Sequence, residues 1–175
     1  SDSGIEVPQP VREAMCGLHL DQFTTYDFDG FFHDRPVVFM ETENGGVKTI
    51  SAPHMIVTLL HHLELKEGHE VLVVGSKGGY IAALIATIVG EQGRVIVIDP
   101  SEEIIRHTAK ALNGWPTIDL RHVESIDVAP IELPGELSRI LITSQVAFFL
   151  YPRGWKSESL REALSSLQSA IIIKN

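Results

Sequence analysis

From Glu70 onward, short runs rich in β-branched residues alternate with segments of helical character. That alternation restricts the chain to a parallel sheet covered by helices. Residues 71–74 read as a first strand and residues 95–98 as a second. The Ala- and Ile-rich stretch 80–89 between them predicts the crossover helix of a βαβ unit, a connection that is almost always right-handed. Ser101 ahead of Glu102 and Glu103 marks the start of a further helix, which runs to about Leu112 and is stopped by Asn113-Gly114. Residues 117–122, 139–143 and 170–173 predict three more strands, with a helix over 155–167 joining the last two. Residues 124–134, with two prolines and several acids, read as a loop.

The first 65 or so residues differ in kind. Residues 11–18 predict a short helix. Pro53 stands where proline is tolerated, in the first turn of a helix that carries Met55, Leu59, Leu60 and Leu63. Between Phe28 and Gly46 the chain is aromatic and then polar, and Glu41-Thr42-Glu43-Asn44-Gly45-Gly46 is a turn signal of hairpin type. The expected organisation is one domain over residues 1–175, with an extension of helix and loop at 1–65 and an α/β core at 66–175.

Composition narrows the function. With 175 residues and 44% hydrophobic content, the chain can bury one sizeable core. No apolar run approaches the roughly 18 residues that a membrane helix needs. The start, Ser1-Asp2-Ser3, has neither the basic region nor the apolar stretch of a signal peptide, so a cytoplasmic setting is expected. The single cysteine, Cys16, allows no intrachain disulfide. A formal net charge of -9 argues against broad nucleic-acid affinity, which needs clustered Lys and Arg, and points to a small molecule or a protein as partner. Eight histidines come with no Cys/His spacing and no His-Glu-x-x-His motif, so no metal is expected.

The chemistry is expected at the carboxyl ends of the strands. Gly75-Ser76-Lys77-Gly78-Gly79 follows the first strand. Gly75 permits a sharp turn, and Gly78 and Gly79 permit close approach of a bound group and of the following helix. Asp99 ends the second strand about 24 residues after Gly75, where a carboxylate can accept the hydroxyls of an adenosine ribose. The pair fits a nucleoside-containing cofactor. A P-loop is excluded because Lys77 is followed by glycine, and the three glycines of the dinucleotide fingerprint are not matched.

Thr49-Ile50-Ser51-Ala52-Pro53-His54-Met55, together with Asp34-Arg35-Pro36, Leu65-Lys66-Glu67-Gly68, residues 90–95 and Ile98-Asp99, resembles the protein-L-isoaspartate O-methyltransferase family. The heptapeptide is the specific part, and the resemblance runs from about His33 to the last residue. It implies a Rossmann-like methyltransferase fold, with a mostly parallel twisted sheet and helices on both faces, here expected to be truncated after about five strands. It also implies S-adenosylmethionine as cofactor and an isoaspartyl protein or peptide as acceptor. Ser51 would then orient the acceptor carboxylate, with Thr49 and Thr143 on the substrate side. Ile50, His54, Gly75, Ser76, Lys77 and Gly79 would line the cofactor, joined by Asp99 and Pro100 at the ribose and Glu124 near the adenine. An alternative for Ser51 alone is that it caps the helix that begins at Pro53.

The departures from the family pattern fall at functional places. Val73 replaces the acidic strand residue and Lys77 the middle glycine of Gly-x-Gly-x-Gly. The Pro-Ile-Gly approach to the serine loop is replaced by residues 37–47. Arg139 or Ser138 stands where the fourth strand begins with an acid. A lysine in a left-handed turn costs about 1 kcal/mol or more. The chain ends at Asn175, where family members continue into an antiparallel hairpin. Two further readings follow: a methyltransferase-like domain without catalysis that binds a ligand or a partner, and a methyltransferase with a different acceptor. In the first, the apolar run Phe148-Phe149-Leu150-Tyr151 would cover the place of the hairpin or meet another subunit.

Overall fold

A computed structural model describes residues 6–123, 137–143 and 171–174. In chain order the elements are α1 (Gln9–Gly17), β1 (Val37–Glu41), β2 (Val47–Ile50), α2 (Pro53–Leu63), β3 (Glu70–Val74), α3 (Tyr80–Val89), β4 (Arg94–Asp99), α4 (Glu102–Ala111), β5 (Ile118–His122), β6 (Arg139–Ile142) and β7 (Ile171–Lys174). Short 3-10 turns at Leu20–Gln22, Asp29–His33 and Lys77–Gly79 complete the path.

Five strands form one sheet in the order β5-β4-β3-β6-β7, and all four pairings are parallel. Val73 lies opposite Val97 on one side and Leu141 on the other. Parallel strands covered on both faces need not alternate apolar and polar residues, and Val71–Val74 are buried without a break. Val71, Val73, Val95, Val97 and Leu141 share one cluster with the buried residues of α2, α3 and α4. Leu72, Ile96 and Ile140, on the opposite face, are buried as well. Helix α3 is apolar all round, and every one of its residues except Thr87 is buried. Each of its large aliphatic side chains contributes about 1.5–3 kcal/mol by leaving water.

The ends of the helices follow local chemistry. Ser101 caps α4 by accepting a hydrogen bond from the Ile104 amide at 3.3 Å, with Glu102 and Glu103 in the first turn. Helix α2 starts on Pro53 and ends at Glu64, which is left-handed at φ 48°. The Arg139 guanidinium on β6 donates to the Leu63 carbonyl and, at 3.3 Å, to the Glu64 carbonyl. A basic side chain thus satisfies the orphan carbonyls of a helix end. Arg139, with Ser138 one of two candidates for the place of the family's acid, ties α2 to the sheet in this fold.

The expected core is present strand for strand. The hairpin signalled at residues 41–46 is present: residues 37–50 form two antiparallel strands on either side of that turn, in a segment expected to hold helix and loop. Its register shifts between Val38 and Met40, and such an irregularity re-aims a side chain. Phe39 is buried there. The helix expected over 155–167, the loop over 124–134 and the apolar run 148–151 lie outside the described residues. No helix among the described residues is long and apolar enough to cross a membrane.

Candidate functional site

The strand order reverses at β3, whose neighbours β4 and β6 lead to opposite edges of the sheet, so a crevice is expected beyond the carboxyl end of β3. The turn after β3 sits there. Gly75, Lys77, Gly78 and Gly79 all have positive φ, at 95°, 45°, 77° and 95°. Glycine tolerates this freely, whereas at Lys77 the same geometry costs about 1–2 kcal/mol. The expected left-handed lysine is therefore present.

The close approach that these glycines permit is to protein on two sides. A Cβ on Gly78 would lie 3.0 Å from the Phe39 ring of β1. A Cβ on Gly79 would lie 3.0 Å from Leu112 and 3.2 Å from Thr108. The turn is thus held between the hairpin and α4. Phe39 also meets the His107 ring at 5.1 Å, which joins those two supports to each other.

Asp99, only 3% exposed, ends β4 beside the turn. Its Oδ2 accepts from the Ser76 amide at 2.8 Å and from the Ser76 hydroxyl at 3.0 Å, while Oδ1 accepts from the Ser101 amide at 2.9 Å. The Thr108 hydroxyl donates in turn to Ser76 Oγ at 3.1 Å. A carboxylate offers about four acceptor directions, so three are filled and one is left. A ribose that presents two hydroxyls finds one open position, and a second only when the Ser76 hydroxyl turns away. Pro100 is half-buried, and its carbonyl accepts from His122 Nε2 at 3.0 Å.

Lys77 is the opposite case. It is 7% exposed, and among the described residues its ammonium has neither a hydrogen bond nor an ion pair. Burial and, secondarily, the charge of Lys48 on β2 hold it below the ordinary lysine range.

The serine loop follows β2. Ser51 is 8% exposed, and its hydroxyl has no hydrogen-bond partner among the described residues. It does not cap α2, whose N-cap is Ala52 without a side-chain bond. Asp34 takes that part instead. Its carboxylate accepts from the His54 amide at 2.9 Å and pairs with His54 Nδ1 at 2.9 Å. That amide bond is the largest cause of a lowered Asp34 pKa. His54 itself is exposed, in the first turn of α2. Ile50 is fully buried in the hydrophobic cluster, and Thr49 is half-buried on β2. Thr143 is buried, and both its amide and its hydroxyl donate to the Val74 carbonyl, at 3.0 and 3.1 Å. Its hydroxyl proton therefore ties β6 to β3, and only its oxygen remains to accept. Glu124 lies outside the described residues.

The structure brings Gly75, Ser76, Lys77, Gly79, Asp99 and Pro100 together, with β2 packed against the turn just ahead of Ser51. Sequence reading missed Thr108 and Lys48, because neither a threonine inside an amphipathic helix nor a lysine on a hairpin carries a motif. It also missed the cap made by Asp34, whose partner lies 20 residues away.

Residues 1–125 match the family described as Protein-L-isoaspartate(D-aspartate) O-methyltransferase (PCMT). The chain belongs to that family. A protein-L-isoaspartate O-methyltransferase of Methanosarcina mazei is 33% identical over 110 residues, covering 62% of this chain and 43% of the relative. A solved protein-L-isoaspartate O-methyltransferase aligns with a TM-score of 0.68 at 21% identity, over 78% of this chain and 43% of that one. A Plasmodium falciparum PCMT-type structure in complex with S-adenosyl-L-homocysteine aligns with a TM-score of 0.67 at 18% identity, over 99% of this chain and 80% of that one. At such identities the two structures establish the fold, which is the Rossmann-like methyltransferase fold. The chain spans about half or less of the length of the first curated family members it matches.

Proposed function

We propose that the chain is a methyltransferase-like domain that uses S-adenosylmethionine to methylate a protein carboxylate of the L-isoaspartyl type, in a cytoplasmic setting. The observation that carries this reading is Ser51. Inside the family heptapeptide, at the end of a strand packed on the glycine turn, its buried hydroxyl has no hydrogen-bond partner among the described residues. A buried donor without a partner is costly, so its retention fits a bound acceptor.

The residues present fit the cofactor. Asp99 keeps one acceptor position for a ribose hydroxyl, the turn is fixed on two sides, and Lys77 offers a buried donor to an anionic end. When bound, S-adenosylmethionine supplies a methyl group on a positively charged sulfur. An isoaspartyl carboxylate is already ionised near neutral pH, so no strong base is required. The protein's task is alignment and exclusion of water. Ser51 would donate to one carboxylate oxygen of the acceptor and leave the other free to react. Asp99 would fix the nucleoside at the strand end, and Thr143 Oγ1 would serve only as an acceptor.

A second reading is favoured by Lys77. Two positive charges ~4 Å apart repel by about 1 kcal/mol in water and about 4 kcal/mol at an effective dielectric of 20. An ammonium held against the sulfonium would leave a domain that binds the nucleoside without transferring methyl. Calorimetry with S-adenosylmethionine and S-adenosylhomocysteine tests the cofactor, and absence of binding of both at millimolar concentration sinks the enzyme reading. With binding in hand, a methyl-transfer assay on an isoaspartyl peptide separates the two. The expected outcome is turnover that falls about 10- to 100-fold in Ser51→Ala, and a wild type that binds but never transfers supports the second reading.

A further inference from the structure

We propose that Lys77, with Lys48 beside it on β2, forms a seat at the glycine turn for a ligand carboxylate. The inference rests on the methyl-transfer reading above, because both participants in that reaction carry a carboxylate.

Lys77 is more than nine-tenths buried, yet its ammonium has no partner among the described residues. Buried ammonium groups in folded proteins are ordinarily paired. Its position is itself unfavourable, since the backbone at φ 45° strains any side chain other than glycine or asparagine. Beyond burial itself, the charge that lowers its pKa is that of Lys48, which is of the same sign, so this neighbour adds repulsion where compensation is needed. Lys48 is half-buried on the strand that packs against this turn, and it too makes no ion pair among the described residues. The Asp99 carboxylate, which takes three hydrogen bonds from Ser76 and Ser101, makes no hydrogen bond or ion pair with Lys77. Strain, burial and like charge at one point are offset together by a single event, the arrival of an anion between two lysines.

The carboxylate has two sources, the amino-acid end of the donor and the isoaspartyl group of the acceptor, and one set of titrations tells them apart. Calorimetry of the wild type, Lys77→Met, Lys77→Arg and Lys48→Met is carried out with S-adenosylhomocysteine, with 5′-methylthioadenosine and with an isoaspartyl peptide added to the nucleoside complex. Methylthioadenosine retains the nucleoside and its thioether but has no carboxylate. The expected result is that Lys77→Met weakens S-adenosylhomocysteine about 10- to 100-fold and leaves methylthioadenosine unchanged. Lys77→Arg would restore most of the loss, and Lys48→Met would show a smaller one. Loss confined to the isoaspartyl peptide assigns the same seat to the acceptor. Unchanged or tighter binding of both carboxylates in Lys77→Met overturns the seat and leaves the methyl-transfer reading standing. A wild type that binds neither nucleoside overturns both. Lys48→Met leaves the backbone of the strained turn itself unaltered, so loss of folding in the Lys77 variants does not remove the test.

Discussion

Asp99 and Lys77 are two buried charges on either side of Ser76, and they are accommodated in opposite ways. Asp99 accepts three hydrogen bonds, two of them from backbone amides, while Lys77 has no partner among the described residues and a strained backbone. The first charge fastens the loop to the sheet. The second is tolerated by the loop. Buried charges stabilise or destabilise according to whether each acceptor and donor is satisfied, so burial alone does not distinguish a structural group from one awaiting a ligand.

The largest effect expected is from Asp99→Ala. Removing the carboxylate leaves the Ser76 and Ser101 amides without acceptors inside the fold, so urea denaturation should show a loss of about 3 kcal/mol or more. A loss below about 1 kcal/mol would mean that Asp99 is no more structural than Lys77, and the contrast between them would fail. Lys77→Gly should act in the opposite sense. Relief of the left-handed backbone stabilises the ligand-free protein by about 1 kcal/mol, and relief of the buried charge adds to it. The sign of the charge effect follows from the lowered pKa of Lys77. Its unfavourable contribution is fully present at neutral pH and fades as pH rises through the folded-state pKa toward 10.5. The gain measured between pH 7 and about 10.5 should therefore shrink, and a gain independent of pH would leave backbone strain as the whole cause. Thr108→Val should have the smallest effect. It deletes one hydrogen bond to Ser76 Oγ, and a loss of about 0.5–1.5 kcal/mol in the same denaturation assay is expected. A much larger loss would extend the network around Asp99 into α4.

The parallel core was legible because its signals are local and mutually consistent. Residues 80–89 are apolar all round, as a helix packed between sheet and extension must be, and Ser101 with Glu102 and Glu103 announced the start of α4. The glycine turn and Asp99 were found for the same reason, since turn, helix and strand-end acid follow one another along the chain. Residues 37–50 were harder to read. Their register shifts between Val38 and Met40, and the Phe39 ring buried there lies against Gly78, far away in sequence. The part played by Ser51 was likewise undecided, because a serine ahead of a helix reads as a cap. The distant Asp34 makes a bond to the His54 amide, and helix α2 takes no cap from Ser51.

By itself, the sequence determined the βαβ order, the place of the loop at the strand ends and, through residues 49–55, the family. Periodicity, turn chemistry and short motifs are properties of neighbouring residues. The tertiary structure alone decided which charges at the site are satisfied. Asp99 is bound because Ser76 and Ser101 fold back on it, whereas among the described residues Phe39, Leu112 and Thr108 pack on the turn that carries Lys77 and no carboxylate pairs with its ammonium. Satisfaction of a buried group depends on atoms brought together from distant parts of the chain, and no local pattern encodes it.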